Sequence, residues 1–102
     1  MDIRLLDSAK DDLRNGWLFY ERQIPGLGDR FLAAIEADVR ALSIYGGIHL
    51  KVAGFHRMLV REFPSALYYL REKSTIDIYA ILDCRRDPSW IRDRLDSARP
   101  TT

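Results

Sequence analysis

Apolar residues in the first half of the chain recur at helical spacing. The first series advances by four, three and four residues: Leu13, Trp17, Tyr20 and Ile24. Because about 3.6 residues make one helical turn, this spacing predicts an amphipathic helix over about residues 8–23. Ser8 and Asp11 occupy the positions of a capping box at its start, and the apolar residues before them predict a short strand over about residues 2–6.

A Pro-Gly turn separates this helix from a second one. Pro25 cannot continue the helical hydrogen bonding, and Gly26 and Gly28 adopt the backbone angles that a sharp reversal requires. Apolar residues then return at helical spacing: Leu27, Phe31, Ile35 and Leu42. The pattern predicts a second helix that begins at Leu27 and ends at about residue 43, so that the two helices form a hairpin.

The hydrophobic period changes to two in the second half of the chain. Three segments there are rich in β-forming residues: 58–63, 67–70 and 76–82. Pro64-Ser65 and the four residues 72–75 separate them, and connections this short join antiparallel neighbours. The pattern therefore predicts a three-stranded meander, after which Pro88 is placed to begin a short final helix.

Strand register divides the side chains of this sheet between two faces. A two-residue turn at Pro64-Ser65 places Arg61 opposite Tyr68. The apolar face then comprises Met58, Val60, Leu67, Tyr69, Ile78, Ala80 and Leu82. The helical hairpin has a complementary apolar surface, so we predict an α+β fold of order β-α-α-β-β-β-α, with the hairpin packed on one face of an antiparallel sheet.

The opposite face is the candidate binding surface. It is predicted to carry Arg57, Arg61, Tyr68, Tyr79 and Asp83. Guanidinium groups beside aromatic rings suit phosphates, stacked bases or an acidic partner peptide. The alternative is that Arg57 and Arg61 only solvate an open sheet face and pair with Glu62 or Asp83. Both interpretations remain open at the level of the sequence.

Length and charge narrow the class of protein. A chain of 102 residues is sufficient for one domain, which we assign to residues 1–102. The formal charge of +1 excludes a polycation, although residues 51–102 carry ten basic and seven acidic side chains. The sequence has no signal-peptide pattern and no apolar stretch of the roughly 18 residues that a membrane span requires, so we expect a cytoplasmic protein.

The single cysteine and the two histidines do not indicate a disulfide or a metal site. Cys84 has no second cysteine with which to form a disulfide and is expected to be a small buried side chain. His49, His56 and Cys84 fall short of the four close ligands of a structural zinc site. We therefore predict no metal and no cofactor.

Three segments resemble the toxins of the RelE/ParE superfamily, which belong to bacterial type II toxin–antitoxin systems. They are DLRNGWLFYERQIPGLGDRFL in the predicted hairpin, RMLVREFPSALYYL in the strands and IYAILDCRRDPSW near the C-terminus. The segments occur in the order found in the family, and the resemblance spans nearly the whole chain. It implies the fold predicted above and a cognate antitoxin, with which the chain would form a hetero-oligomer.

The resemblance leaves two activities to be distinguished. RelE-like members cleave mRNA on the ribosome, whereas ParE-like members inhibit DNA gyrase. Cleavage through the 2′-OH needs a base, a cation near the phosphate and an acid at the leaving oxygen. In a nuclease, the candidate catalytic residues are Arg61, Arg85, Arg86, Asp83 and Lys51. Many relatives have a histidine just ahead of the paired arginines, where this chain has Asp83-Cys84, and no tyrosine follows at the C-terminal end.

The sequence therefore favours a growth inhibitor of the ParE-like, plasmid-stabilisation type, which acts by binding its target rather than by its own bond-breaking chemistry. The resemblance implies that this target is DNA gyrase. The residues assigned to binding the target or the antitoxin are Arg57, Arg61, Tyr68, Tyr79, Arg85 and Arg86. On this assignment Arg61→Ala weakens toxicity more than Arg22→Ala. The alternatives are a ribosome-dependent mRNA endoribonuclease and a degenerate toxin that retains only antitoxin binding.

Overall fold

The computed structural model describes residues 1–100 and has the predicted α+β class. Its elements are β1 (Asp2–Leu5), α1 (Asp7–Gln23), α2 (Leu27–Tyr45), β2 (Lys51–Val52), β3 (Phe55–Leu59), β4 (Ser65–Glu72), β5 (Thr75–Asp83) and α3 (Pro88–Ala98). The strands form one sheet in the order β1-β5-β4-β3-β2. The sheet is mixed, since β1 runs parallel to β5 while the other pairs are antiparallel. The two-residue strand β2 was not predicted.

The α1–α2 hairpin covers one face of the sheet, as predicted, and the main core lies between them. Its largest fully buried side chains include Phe31, Leu42, Leu67, Tyr69, Ile76 and Ile78. Glu21 fixes the hairpin turn, because its carboxylate accepts hydrogen bonds of 3.0 Å from the N–H groups of Gly26 and Gly28. Gly26 has a φ of +91°, which favours glycine. Across residues 1–100, every helix falls short of the length or the apolar character that a bilayer crossing demands.

The predicted capping box at the start of α1 is wrong. Helix α1 begins one residue earlier than expected, with Leu6 at the N-cap and no side-chain cap. The Ser8 hydroxyl instead donates a 2.7 Å hydrogen bond to the Tyr79 carbonyl. Ser8 is therefore used to attach α1 to β5, and this tertiary bond replaces the local one that the sequence indicates.

The predicted register of β3 and β4 is also wrong, because their connection is longer than two residues. Leu59 pairs with Ala66, and Arg57 takes the place opposite Tyr68 that was predicted for Arg61. Residues 60–64 form the loop, and the Asp38 carboxylate of α2 accepts the Arg61 backbone N–H at 3.1 Å. The residue opposite Tyr68 is Arg57, four positions before the predicted Arg61. Because four is an even number, the β3 side chains still point to the predicted faces of the sheet.

A β-bulge alters the faces of β5. Tyr68 pairs with Ala80, whereas the adjacent Tyr69 pairs with Ile78, so that Tyr79 has no partner opposite it. The extra residue reverses the side-chain alternation beyond that point. Ala80 and Leu82, which were predicted to face the hairpin, consequently lie on the other face of the sheet. The remaining predicted core residues, Met58, Val60, Leu67, Tyr69 and Ile78, do pack on the hairpin side.

Two histidines and a buried tyrosine attach the loop after α2 to the sheet. The Gly47 N–H donates to the Tyr69 hydroxyl at 3.0 Å, and that hydroxyl lies 2.5 Å from His49 Nδ1. The tyrosine oxygen can both accept and donate, so a neutral His49 with an unprotonated Nδ1 can accept its proton. His56 stacks on the Tyr69 ring and its Nδ1 donates to the His49 carbonyl at 2.6 Å. Arg71 completes the surroundings through a 3.2 Å bond to the Gly46 carbonyl.

This arrangement predicts that acid destabilises the protein through His49. Burial, together with the nearby His56, lowers the pKa of His49 below the ordinary value of 6.5. The unfolded chain therefore binds the proton more readily than the native protein, and the free energy of unfolding falls as the pH falls below about 6.5. Urea unfolding at a series of pH values measures this decline, and His49→Gln is expected to reduce it. Identical pH dependence in the variant and the parent would contradict the prediction.

Candidate functional site

Helix α3 covers the sheet face that the sequence predicted to be open. Its Leu95 is fully buried, and Tyr68 on the sheet beneath it is only 2% exposed. Together they belong to a second core with Phe55, Ala66, Ala80 and Leu82. The prediction of an open surface of arginine and tyrosine is therefore wrong. Because the helical hairpin covers one face of the sheet, the apolar side of α3 packs on the opposite face.

Arg57, Tyr68 and Tyr79 accordingly contribute to packing. Arg57 is half-buried, and its Nε is buried without a hydrogen-bond partner among the described residues. Tyr79 packs against Phe55 with the ring centroids 5.2 Å apart. Burial is the main cause that raises the pKa of both Tyr68 and Tyr79. Arg57 and Tyr68 also line, together with Arg86, a second pocket of about 460 Å³ on this side of the sheet.

Arg61 and Lys51 are both exposed, but they lie apart from Asp83, Arg85 and Arg86. Arg61 is in the loop after β3, and Lys51 is on β2 at the edge of the sheet. Neither residue lines the groove that contains Asp83, Arg85 and Arg86. The structure therefore divides the predicted catalytic set into separate parts.

Asp83, Arg85 and Arg86 meet at a groove between α1, the end of β5 and α3, which we call the α1–α3 groove. Its volume is about 950 Å³. Side chains from all three elements line it, among them Asp12, Phe19, Tyr20, Arg22, Asp83, Arg85, Arg86, Trp90 and Arg94. Four arginines and two aspartates in this group leave it with a net positive charge of two. Concave sites with a few convergent polar groups are the usual form of a binding site.

The groove lies where β5 extends beyond β1. The pairing of β1 with β5 ends at Ile78, so the outer edge of β5 has no neighbouring strand after that residue. Side chains take the place of a neighbouring strand for some backbone groups of this edge. The Asp12 carboxylate of α1 accepts the Ile81 N–H at 3.0 Å. Arg94 of α3 donates to the same carboxylate oxygen at 2.8 Å. The first bond attaches α1 to β5, and the second attaches α3 to α1.

The arginines of the groove differ in how far they are already paired. Arg85 forms a two-point pair with the Asp83 carboxylate at 3.0 and 2.7 Å, and this hydrogen bonding is the largest cause that lowers the pKa of Asp83. Arg86 stacks over the Trp90 ring at 3.9 Å from its centroid. Within residues 1–100, Arg86 and Arg22 have no carboxylate partner at salt-bridge distance. They are therefore available to an anionic ligand.

Tyr20 places a polar atom in the apolar wall of the groove. The residue is only 7% exposed, and its ring packs between Phe31 and Phe63 at centroid distances of 5.1 and 4.8 Å. Its hydroxyl is buried and meets the geometry of a hydrogen bond with no group among the described residues, although the Ser65 hydroxyl lies close enough to act on the Tyr20 pKa. Burial, and then the charge of Asp83, raise the pKa of Tyr20. The hydroxyl therefore keeps its proton.

Sequence reasoning missed Tyr20, Arg22 and Trp90 as members of this site. Tyr20 was assigned to the core, which is correct for its ring but leaves out the hydroxyl. One signal was present in the sequence: Arg86 and Trp90 are four residues apart around the predicted start of α3, a spacing that lets side chains meet. The sequence did not indicate that α1 forms the facing wall.

The groove contains groups for binding anions but not a clear set for proton transfer. No histidine or cysteine is among its lining residues. Asp12 has its pKa raised by burial, but its carboxylate is bonded to Ile81 and Arg94. Cys84 lies on the α3 side in the second core, as a half-buried side chain. Among residues 1–100 no three histidine, cysteine or carboxylate side chains come together as a metal site would require.

Comparison with known proteins supports the fold assignment. No protein-family model matches the chain, and no curated protein matches it in sequence. A solved structure described as the chromosomal ParDE TA system from P. aeruginosa contains a chain with a similar fold. The two align with a TM-score of 0.68 and 20% identity, over 79% of this chain and 92% of the other. The chain thus has the fold expected from the RelE/ParE resemblance.

Proposed function

We propose that the protein is the toxin of a type II toxin–antitoxin module, which inhibits growth by binding an essential target. The fold shared with a chain of a ParDE system is the observation that carries this proposal. The residue-level resemblance of three segments to RelE/ParE toxins adds to it. The expected location is the cytoplasm, and the expected partner is an antitoxin that binds the toxin and neutralises it.

The charge and chemistry of the groove favour binding over bond cleavage. Among residues 1–100, Arg22 and Arg86 have no carboxylate at salt-bridge distance, while Asp83 is neutralised by Arg85. A general base for RNA cleavage needs a pKa near the working pH, and hydrogen bonding to Arg85 lowers the pKa of Asp83, which makes its carboxylate a weaker base. We therefore place the protein in the ParE-like branch, with DNA gyrase as the expected target.

Inducible expression with two parallel measurements tests this assignment. We expect plasmids from induced cells to show lost supercoiling or trapped cleaved DNA, while transcript 5′ ends stay as in uninduced cells. Each target leaves a distinct trace, since gyrase controls topology and a ribosome-dependent nuclease cuts mRNA at codon positions. Cells that carry the empty vector are the control.

Transcript cuts at codon positions together with normal supercoiling would contradict the gyrase assignment and favour the endoribonuclease alternative. In that case Asp83→Asn would show whether a carboxylate takes part in the cleavage. Asp83 and Asp12 are the two carboxylates among the described residues that line the groove, and Asp83 is the one beside Arg85 and Arg86. Unchanged cleavage by this variant would assign the chemistry to the arginines alone.

A further inference from the structure

We propose that the protein binds the surface of an anionic lipid bilayer through an apolar tip, where α2 ends beside the edge strand β2. The apolar tip comprises Ile44, Tyr45, Ile48 and Leu50. The proposal is independent of the toxin assignment and adds a binding surface outside the α1–α3 groove. It rests on the exposure of these side chains, on the hydrogen bonds of their backbone and on the charges beside them.

The apolar tip concentrates exposed hydrophobic surface in one short segment. Among the described residues nine large apolar side chains are exposed, and four of them lie within residues 44–50. Ile44 is 70% exposed, Ile48 72% and Leu50 86%. A single exposed apolar side chain is ordinary on a soluble protein, whereas a group of neighbouring ones marks an interaction surface. The tip therefore requires an occupant.

Hydrogen bonds to the sheet hold the backbone of the apolar tip. The Gly47 N–H donates to the hydroxyl of Tyr69, which is fully buried, and the Arg71 guanidinium donates to the Gly46 carbonyl at 3.2 Å. The Leu50 carbonyl accepts a backbone N–H of β3 at 3.0 Å. Because the segment is attached at three points, it cannot fold back on the core without breaking these bonds. The exposure of its apolar side chains is therefore built into the fold.

Basic side chains lie beside the apolar tip. Arg40 is one helical turn before it, Lys51 directly follows it, and the Arg71 guanidinium bonds to its backbone. All three are exposed, and within residues 1–100 none has a carboxylate at salt-bridge distance. Glu72 follows Arg71 in the sequence, but Lys73 comes next and balances its charge. The surroundings of the tip therefore carry a net positive charge.

This combination favours a lipid surface over a second copy or a protein partner. Two copies that met through the tip would bring like charges together, since residues 39–61 contain four basic and no acidic side chains. The apolar residues of the tip line neither the α1–α3 groove nor the second pocket. A bilayer accepts such outward apolar side chains without a complementary cavity, and its acidic head groups attract the neighbouring cations.

Binding of the full-length chain to vesicles tests the proposal. We expect the chain to cosediment with vesicles of phosphatidylglycerol and phosphatidylcholine in about equal parts, and to bind phosphatidylcholine vesicles at least about tenfold more weakly. Added salt should weaken binding to the anionic vesicles, because it screens the cations. Equal binding to both kinds of vesicle, or binding to neither, would overturn the proposal.

Substitutions of exposed side chains locate the contact. Ile48→Ser combined with Leu50→Ser is expected to weaken binding to the anionic vesicles by at least about tenfold, because two aliphatic side chains no longer enter the bilayer. Lys51→Gln should weaken it by about fivefold. The matched control is Ile24→Ser, since Ile24 is 60% exposed but lies at the other end of the 19-residue helix α2. It should bind as the parent does.

Folding is checked by urea unfolding, in which these variants should match the parent because the substituted side chains are exposed. Full vesicle binding by the double serine variant would show adsorption by charge alone and would overturn the apolar contact. A chain that self-associates without binding vesicles, and becomes monomeric in the double variant, would assign the tip to a second copy. Loss of growth inhibition by the double variant, without vesicle binding by the parent, would assign it to a protein target. Vesicle binding is measured without reference to growth, so failure of this proposal and failure of the proposed function are distinguishable.

Discussion

Replacing Arg86 with glutamate is expected to abolish growth inhibition by the induced protein. The substitution reverses the charge of a groove arginine that has no carboxylate partner among residues 1–100 and places a carboxylate near Asp83, so that an acidic surface of the target of growth inhibition is repelled. Loss of such a contact costs about 2 kcal/mol or more, which corresponds to about thirtyfold in affinity. Plating efficiency after induction measures the effect, with protein abundance checked in the same cells.

The matched control is Arg40→Glu on an exposed part of α2 outside the groove, which should remain as toxic as the parent. The same reasoning reverses the order predicted from the sequence for two other arginines. Arg22→Ala is now expected to weaken toxicity more than Arg61→Ala, because Arg22 lines the groove and Arg61 does not. Equal toxicity of the parent and Arg86→Glu, at equal abundance, would remove the groove from the functional account.

Leu95→Ala is expected to lower the free energy of unfolding by about 2–5 kcal/mol. Leu95 is fully buried between α3 and the sheet, where it is the main apolar anchor of the helix. Its truncation leaves a cavity over Tyr68 and Leu82 and weakens the attachment of α3, which supplies one wall of the α1–α3 groove. Urea unfolding measures the change.

Leu50→Ala provides a control of the same chemistry. Leu50 is 86% exposed, so its truncation should change the free energy of unfolding by no more than about 0.5 kcal/mol. If both variants lost the same small amount, α3 would not be packed on the sheet, and the open face predicted from the sequence would be restored.

Local patterns were sufficient to predict the helical hairpin. The helix predicted from the apolar spacing and the PGLG turn are each determined within one segment, and the structure confirms both, although Ile24, which was counted on the apolar side of the helix, is its C-cap residue and 60% exposed. The presence of the strands could be predicted for the same reason, since β-forming residues are concentrated between short turns. These are features in which neighbouring residues decide the conformation.

The strand faces required information that neighbouring residues do not contain. One extra residue at the Tyr79 bulge reverses the alternation of β5, and nothing in the alternating pattern marks it. The length of the β3–β4 loop is likewise accompanied by a contact from Asp38 in a distant helix. The docking of α3 then decides which face is buried, which is why Tyr68 became part of a core.

The candidate site was predicted only in part for a related reason. Arg85 and Arg86 stand out as a pair in the sequence, and the structure does place them together in a groove. The facing wall comes from α1, more than 60 residues earlier, through Phe19 and Tyr20. Periodicity assigns Tyr20 to the core correctly, but it cannot show that the hydroxyl lacks a partner. That property depends on every neighbour in three dimensions.

Growth after induction, with and without the protein encoded by the adjacent gene, tests the central claim most directly. The account predicts that the chain alone arrests growth, that co-expression of the neighbouring protein restores it, and that the two proteins are purified together. Normal growth of cells that accumulate the soluble full-length chain alone would contradict the assignment as an active toxin.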